Sequence, residues 1–145
     1  MDRPNLLPGY QYGDLTQGTI PTGCGNLAAG TPVGTPQRWF NPCAFGIPDP
    51  GFLGNVGSNV LRGPGFATLD MSVGKNVPLG FLGEAGKLEF RAEGFNLLNR
   101  ANFGLPNRTA FTALQNVESP LATAGRINRT ISTSRQLQFA LKILF

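Results

Sequence analysis

Few residues in this chain can carry chemistry, and the two cysteines come first. Cys24 and Cys43 stand with 18 residues between them in a stretch rich in proline and glycine. In an oxidising compartment a disulfide between them would close that loop and contribute about 3 kcal/mol by chain entropy. The other reading is a pair of free thiols. Two cysteines without a histidine make no metal site, and the 145 residues contain no histidine. The commonest general base and metal ligand is therefore missing, and with it the usual serine and cysteine triads. No paired carboxylates stand out either. We expect no catalytic residue, no cofactor and no metal ligand, and so no enzyme.

The other candidates are polar or aromatic clusters. Lys87, Glu89, Arg91 and Glu93 alternate in sign at every second position, so on a strand they share one face. Such a face must meet water or pair laterally, because burying unpaired charge is costly. It either guides a ligand or forms a ladder of ion pairs. Trp39, Phe40 and Phe45 would stack on a sugar or anchor a loop. Asn96, Asn99 and Asn102 cap a turn or touch a ligand. The run from Gly54 to Gly65 resembles a phosphate cradle only superficially, since no Gly-Lys-Ser/Thr follows and Pro64 blocks a helix start; turn chemistry makes it a loop.

Three alternating segments must position these residues. The last, Arg135-Gln-Leu-Gln-Phe-Ala-Leu-Lys-Ile-Leu-Phe145, puts Leu137, Phe139, Leu141, Ile143 and Phe145 on one face, and Gln136, Gln138, Ala140 and Lys142 on the other. Only Leu144 breaks the polar side. The first, residues 66–76, places Ala67, Leu69, Met71 and Val73 opposite Thr68, Asp70 and Ser72. The second, residues 87–97, sets Leu88, Phe90, Ala92 and Gly94 against the charged row. Each segment matches the about 9–11 residues with which a tilted strand crosses a bilayer core, whereas soluble strands are usually nearer about five or six. A final aromatic residue needs an apolar environment or a partner that reads it. An outer-membrane β-barrel supplies both.

Composition narrows the class further. Glycine (20) and proline (12) are abundant, with most prolines before residue 66 and no sustained period there. The expected organisation is an irregular extracellular arm over 1–65, then three barrel strands in 66–145 at about 66–76, 87–97 and 135–145. Connection 77–86 is expected in the periplasm and the longer 98–134 loop outside, since short barrel turns face the periplasm. The net charge of +4 is scattered, so no nucleic-acid partner is expected. No apolar run is long enough for a membrane-spanning helix. The first residues lack a charged start followed by an apolar core, so no signal peptide is expected here.

One family resemblance emerges from several motifs in order. Arg38-Trp-Phe-Asn-Pro-Cys-Ala-Phe45, Gly54-Asn-Val-Gly-Ser-Asn-Val-Leu-Arg-Gly-Pro-Gly-Phe66, Leu69-Asp-Met-Ser-Val73, Phe90-Arg-Ala-Glu-Gly-Phe-Asn-Leu-Leu-Asn-Arg-Ala-Asn-Phe-Gly104 and Gly125-Arg-Ile127 together resemble the C-terminal end of TonB-dependent receptors, of the Oar-like β-barrel group abundant in acidobacteria. The resemblance spans about residues 36–145. It implies a barrel of about 22 strands with a plug in its lumen, energised through a periplasmic TonB contact whose segments lie outside this chain. It also implies that Phe139, Leu141, Ile143 and Phe145 form the signal read by the barrel-assembly machinery.

The fold expected is therefore all-β: antiparallel strands from the end of an outer-membrane barrel, incomplete in this chain. Leu69, Met71, Val73, Leu88, Phe90, Leu137, Phe139, Leu141 and Ile143 would face lipid. Lys87, Glu89, Arg91 and Glu93 would face the lumen. Three strands cannot close a barrel, because the smallest use about eight, so the chain is expected to be part of a longer product or a remnant of one. Its partners would be outer-membrane lipid, the assembly machinery and the remaining barrel and plug. Its function would be nutrient uptake as part of such a receptor. The alternative is a small secreted or surface all-β binding module, burying its apolar strand faces against its own arm.

Overall fold

The structure, a computed structural model, describes residues 3–84, 86–112, 114 and 118–145. In chain order it forms β1 (Asn5–Leu6), 3-10 turns at Tyr12–Thr16 and Pro42–Ala44, β2 (Phe45–Gly46), β3 (Met71–Pro78), a 3-10 turn at Gly80–Leu82, β4 (Lys87–Phe95) and β5 (Gln136–Leu144). No α-helix occurs among the described residues. The strands pair antiparallel in two open sheets, β1-β2 and β3-β4-β5. The fold is all-β, with a partial sheet. The chain divides into two compact units: one of Met1–Pro64 with Phe103–Arg129, the other of Gly65–Asn102 with Thr130–Phe145.

In the first unit, short polar segments and turns hold a small core. Pro42 opens its 3-10 turn where its missing N–H is not needed, and the Asn41 side chain accepts from the Cys43 N–H at 2.9 Å. That turn delivers Ala44 and Phe45 inward, to pack with Leu15, Phe40, Val56 and Ala124. Phe40 and Phe45 meet edge to face, their centroids 6.0 Å apart, the arrangement favoured by aromatic quadrupoles. A second cluster joins Ile20, Val33 and Cys43, with Cys24 and Leu27 against it. Gly54 donates to the Arg3 carbonyl at 3.0 Å. A Cβ there would collide with the Pro4 oxygen, so only glycine permits this approach.

The stretch 103–129 belongs with the arm, which corrects the division expected at residue 66. The reason is a set of long-range bonds. Trp39 N–H donates to the Gly125 carbonyl at 2.7 Å, and Ile127 N–H to the Pro36 carbonyl at 2.8 Å. The Arg38 guanidinium donates to the carbonyls of Ala122, at 3.0 Å, and Ala124. Gly125 has φ +74, and a Cβ on it would meet Phe40 at 3.3 Å. The Gly125-Arg-Ile and Arg38-Trp-Phe motifs therefore form one contact. The run from residue 54 to 64 also packs within this unit, through Val56 in the core and two bonds of Asn55: its N–H donates to Asn5 Oδ1 at 3.0 Å, and its Oδ1 accepts from Leu6 N–H at 2.7 Å.

In the second unit, β4 lies between two edge strands. β3 starts at Met71 and runs to Pro78, later than the expected 66–76. β4 sets that limit. It ends at Phe95 instead of running to 97, because Asn96 turns the backbone with φ 48. Residues before Met71 lie outside the ladder, whose first pair is Met71–Gly94, and are held by other means: the Leu69 carbonyl accepts from Leu97 N–H at 2.9 Å, and Asp70 accepts from Asn96 N–H at 2.8 Å. At the other end Val77 and Pro78 join the ladder, opposite Leu88 and Lys87. Pro78 is tolerated because β3 is an edge. The connection therefore shortens from 77–86 to 79–86, closed by Leu79 N–H to the Gly86 carbonyl at 2.8 Å. β5 keeps its expected place, one residue shorter at each end.

Candidate functional site

The register of the three-stranded sheet turns three separate alternations into two continuous faces. Directly opposed residues in an antiparallel ladder point the same way. Rows Met71–Gly94–Leu137, Val73–Ala92–Phe139, Lys75–Phe90–Leu141 and Val77–Leu88–Ile143 make one face. It is apolar apart from Lys75, and it is uncovered: Phe139 is 72% exposed and Leu141 66%. Phe90 and Phe139 stack diagonally across it, centroids 6.4 Å apart. Leu69 continues the same side just before β3 and is also exposed. Phe145 lies one residue beyond β5 and is 92% exposed. A contiguous exposed apolar face on this scale marks a surface that meets something other than water.

The opposite face carries the charges. Lys87 and Glu89 pair along the strand at 3.0 Å, and Arg91 with Glu93 at 3.7 Å. Across the ladder Lys142 stands opposite Glu89, and Gln138 opposite Glu93. These pairs are partly exposed, so each contributes little to stability, while each cancels its own two charges. A shallow polar depression on this face is lined by Asn76, Glu89, Arg91, Glu93 and Lys142.

Beyond the strand ends, three asparagines gather the chain. Asn96 donates from Nδ2 to the carbonyls of Arg100, at 3.1 Å, and Thr133, at 2.9 Å, and its Oδ1 accepts from Arg100 N–H at 3.1 Å. Asn102, wholly buried, accepts from Ala67 N–H at 2.9 Å and donates to the Ala67 carbonyl and Ser132 Oγ, both at 3.0 Å. Asn99 has φ 49 and accepts from Arg135 N–H at 3.2 Å. The asparagine cluster thus caps turns and ties the ends of β3, β4 and β5. The sequence signal for this role is the Asn-x-x-Asn repeat, since asparagine tolerates left-handed backbone better than most residues.

In the first unit, the aromatic trio divides. Phe40 and Phe45 are core residues, and Trp39, half-buried, donates its indole N–H to the Arg62 carbonyl at 2.6 Å. They anchor the loops. Beside them Val60, Leu61, Leu105 and Pro106 line a groove with Arg62 and Arg108. Arg38 was not among the expected site residues; burial, with the nearby charge of Arg126 second, lowers its pKa from the usual guanidinium value. Among the described residues no cluster of acidic, cysteine or histidine side chains could hold a metal ion.

A family model for an outer membrane β-barrel domain matches residues 1–138. The chain belongs to the outer membrane β-barrel domain family. The protein resides in the outer membrane, and its open three-stranded sheet is a partial barrel. No curated protein and no solved structure matches it. The alternation of apolar and polar faces along β3, β4 and β5 is the pattern that outer-membrane barrels require. The match also covers the arm, so the barrel domain includes the disulfide-bearing loops.

In this barrel domain Cys24 and Cys43 are bonded, with Cα atoms 5.6 Å apart. The bond links the loop around Ile20 and Val33 to the 3-10 turn that feeds the core. Replacing both cysteines by serine is expected to destabilise the first unit by about 3 kcal/mol. Limited proteolysis measures this: cleavage within 18–33 should accelerate in the variant. Equal rates with and without the bond would show that the turns alone hold the loop.

Proposed function

We propose that this chain forms the C-terminal wall and outer loops of a TonB-dependent transporter of the Oar-like kind, serving uptake of a nutrient. The observation that carries the proposal is the pair of faces on one sheet, uncovered apolar on one side and charged on the other. On this reading Leu69, Met71, Val73, Leu88, Phe90, Leu137, Phe139, Leu141 and Ile143 face lipid, while Lys87, Glu89, Arg91 and Glu93 face the lumen. Nine residues of β5 span about 30 Å at about 3.3 Å each. Tilted by about 40° they cover about 23 Å of depth, close to the ~25 Å apolar band of such barrels.

The edges β3 and β5 would pair with the remaining strands, because open edges in lipid leave backbone groups unsatisfied at several kcal/mol each. Phe139, Leu141, Ile143 and Phe145 would present the assembly signal. The 79–86 turn lies in the periplasm and the disulfide-bearing unit outside, where its groove beside Arg62 and Arg108 would meet incoming ligand. No residue is assigned to catalysis. The alternative of a complete small binding module needs the apolar sheet face buried within the chain. Its exposure argues against that, and the arm already spends Leu15, Phe40, Phe45 and Val56 on a core of its own.

In-cell crosslinking tests the transport reading. The protein carrying this chain, captured from outer membranes after crosslinking, should bring down TonB, and the yield should fall when the proton-motive force is dissipated. A barrel that yields no TonB adduct and conducts small solutes constitutively would instead be a passive pore.

A further inference from the structure

We propose that Lys75 binds the phosphate of an anionic phospholipid at the membrane interface on the side of the 79–86 turn, an inference that rests on the apolar face being lipid-facing. Lys75 is the one charged residue on that face among the described strand residues. It stands in the row Lys75–Phe90–Leu141, with Val73 and Val77 as its neighbours on the same side of β3. Among the described residues it makes no ion pair, and it is exposed. On a soluble surface it would need no explanation. In lipid it does, because a lysine at the bilayer midplane costs about 2–4 kcal/mol, falling to about 0–1 kcal/mol near the interface.

The reach of its side chain, not its height, lowers that cost. Lys75 sits three residues before Pro78, where β3 ends, about 10 Å along the strand and about 7–8 Å in depth after tilt. A lysine stem covers most of such a distance by lying along apolar surface and carrying its ammonium toward the headgroups. Two exposed aromatics mark the same end of the sheet: Phe81 in the turn, 82% exposed, and Phe145 just past the Lys87–Leu144 pair. Aromatic girdles lie at barrel interfaces. An unneutralised ammonium arriving at that level meets phosphate oxygens, and as a compact point charge it favours a lipid with net negative charge over a zwitterionic one.

The test uses protein purified from outer membranes and reconstituted in vesicles of phosphatidylcholine containing spin-labelled phosphatidylglycerol or spin-labelled phosphatidylcholine. Lys75→Gln is expected to weaken retention of the phosphatidylglycerol about fivefold, the effect of one surface lysine on anionic lipid. Phosphatidylcholine retention should not change, and Lys75→Arg should restore the preference. A parallel variant, Phe139→Cys labelled with bimane, reports on the underlying reading through quenching by brominated acyl chains. Quenching at 139 with an unaltered lipid preference in Lys75→Gln would overturn the phosphate contact alone. Absence of quenching at 139 would overturn the lipid-facing assignment and the phosphate contact together.

Discussion

Phe139→Arg is expected to destabilise the membrane-inserted protein by about 2–4 kcal/mol, the cost of an arginine near the midplane on a lipid-facing strand. Phe139 lies near the centre of β5, in the row Val73–Ala92–Phe139. Its neighbour Gln138 points to the opposite face, beside Glu93. Gln138→Arg should therefore cost less than about 1 kcal/mol, since it adds a charge to a wet surface that already holds a carboxylate. Part of the loss at 139 comes from the stack on Phe90, worth about 0.5–1.5 kcal/mol; Phe139→Leu isolates that part. Urea unfolding in vesicles measures all three. Equal costs at 138 and 139 would mean that the two faces see the same surroundings, and the wall assignment would fail.

The second large effect is expected at Asn102. Asn102→Ala should cost about 2 kcal/mol, because it leaves the Ala67 N–H and carbonyl without their side-chain partner in a partly buried place. Ser132→Ala removes one of the same bonds but strands no backbone group, so its cost should stay below about 1 kcal/mol. Hydrogen exchange discriminates between a hub and a bystander. In Asn102→Ala the amide of Ala67 should exchange faster, together with that of Ile131, which donates to the Asn102 carbonyl at 2.9 Å. Unchanged exchange at Ala67 would show that the approach to β3 is held by the ladder alone.

The faces of the strands are legible in the amino-acid sequence. A side chain's side on a strand depends only on its own position, so Leu137 to Phe145 and Lys87 to Glu93 sort themselves without reference to their neighbours across the sheet. The absence of histidine and the alternation of charge are equally local facts. Register is different. Which residue opposes Phe90 depends on turn closure at Leu79–Gly86 and on the bend at Asn96, and a shift by one would turn every side chain over. The late start of β3 reflects where its ladder with β4 begins, at the pair Met71–Gly94 next to the turn at Asn96, something the alternation of 66–76 does not contain.

The first unit shows the limit most clearly. Nothing periodic connects Arg38 to Ala124 or Trp39 to Gly125, more than 80 residues apart. Their union rests on buried carbonyls that need donors and on a glycine whose φ of +74 lets the chain pass close to Phe40. Lys75 belongs to the same category: its type is plain from the sequence, but its isolation among apolar neighbours emerges only when three strands are set side by side. Which side chains share a face follows from position along each strand, because that is local geometry. What those faces and loops touch emerges only in the assembled fold, because contacts between distant residues depend on registers and backbone bonds that no single segment encodes.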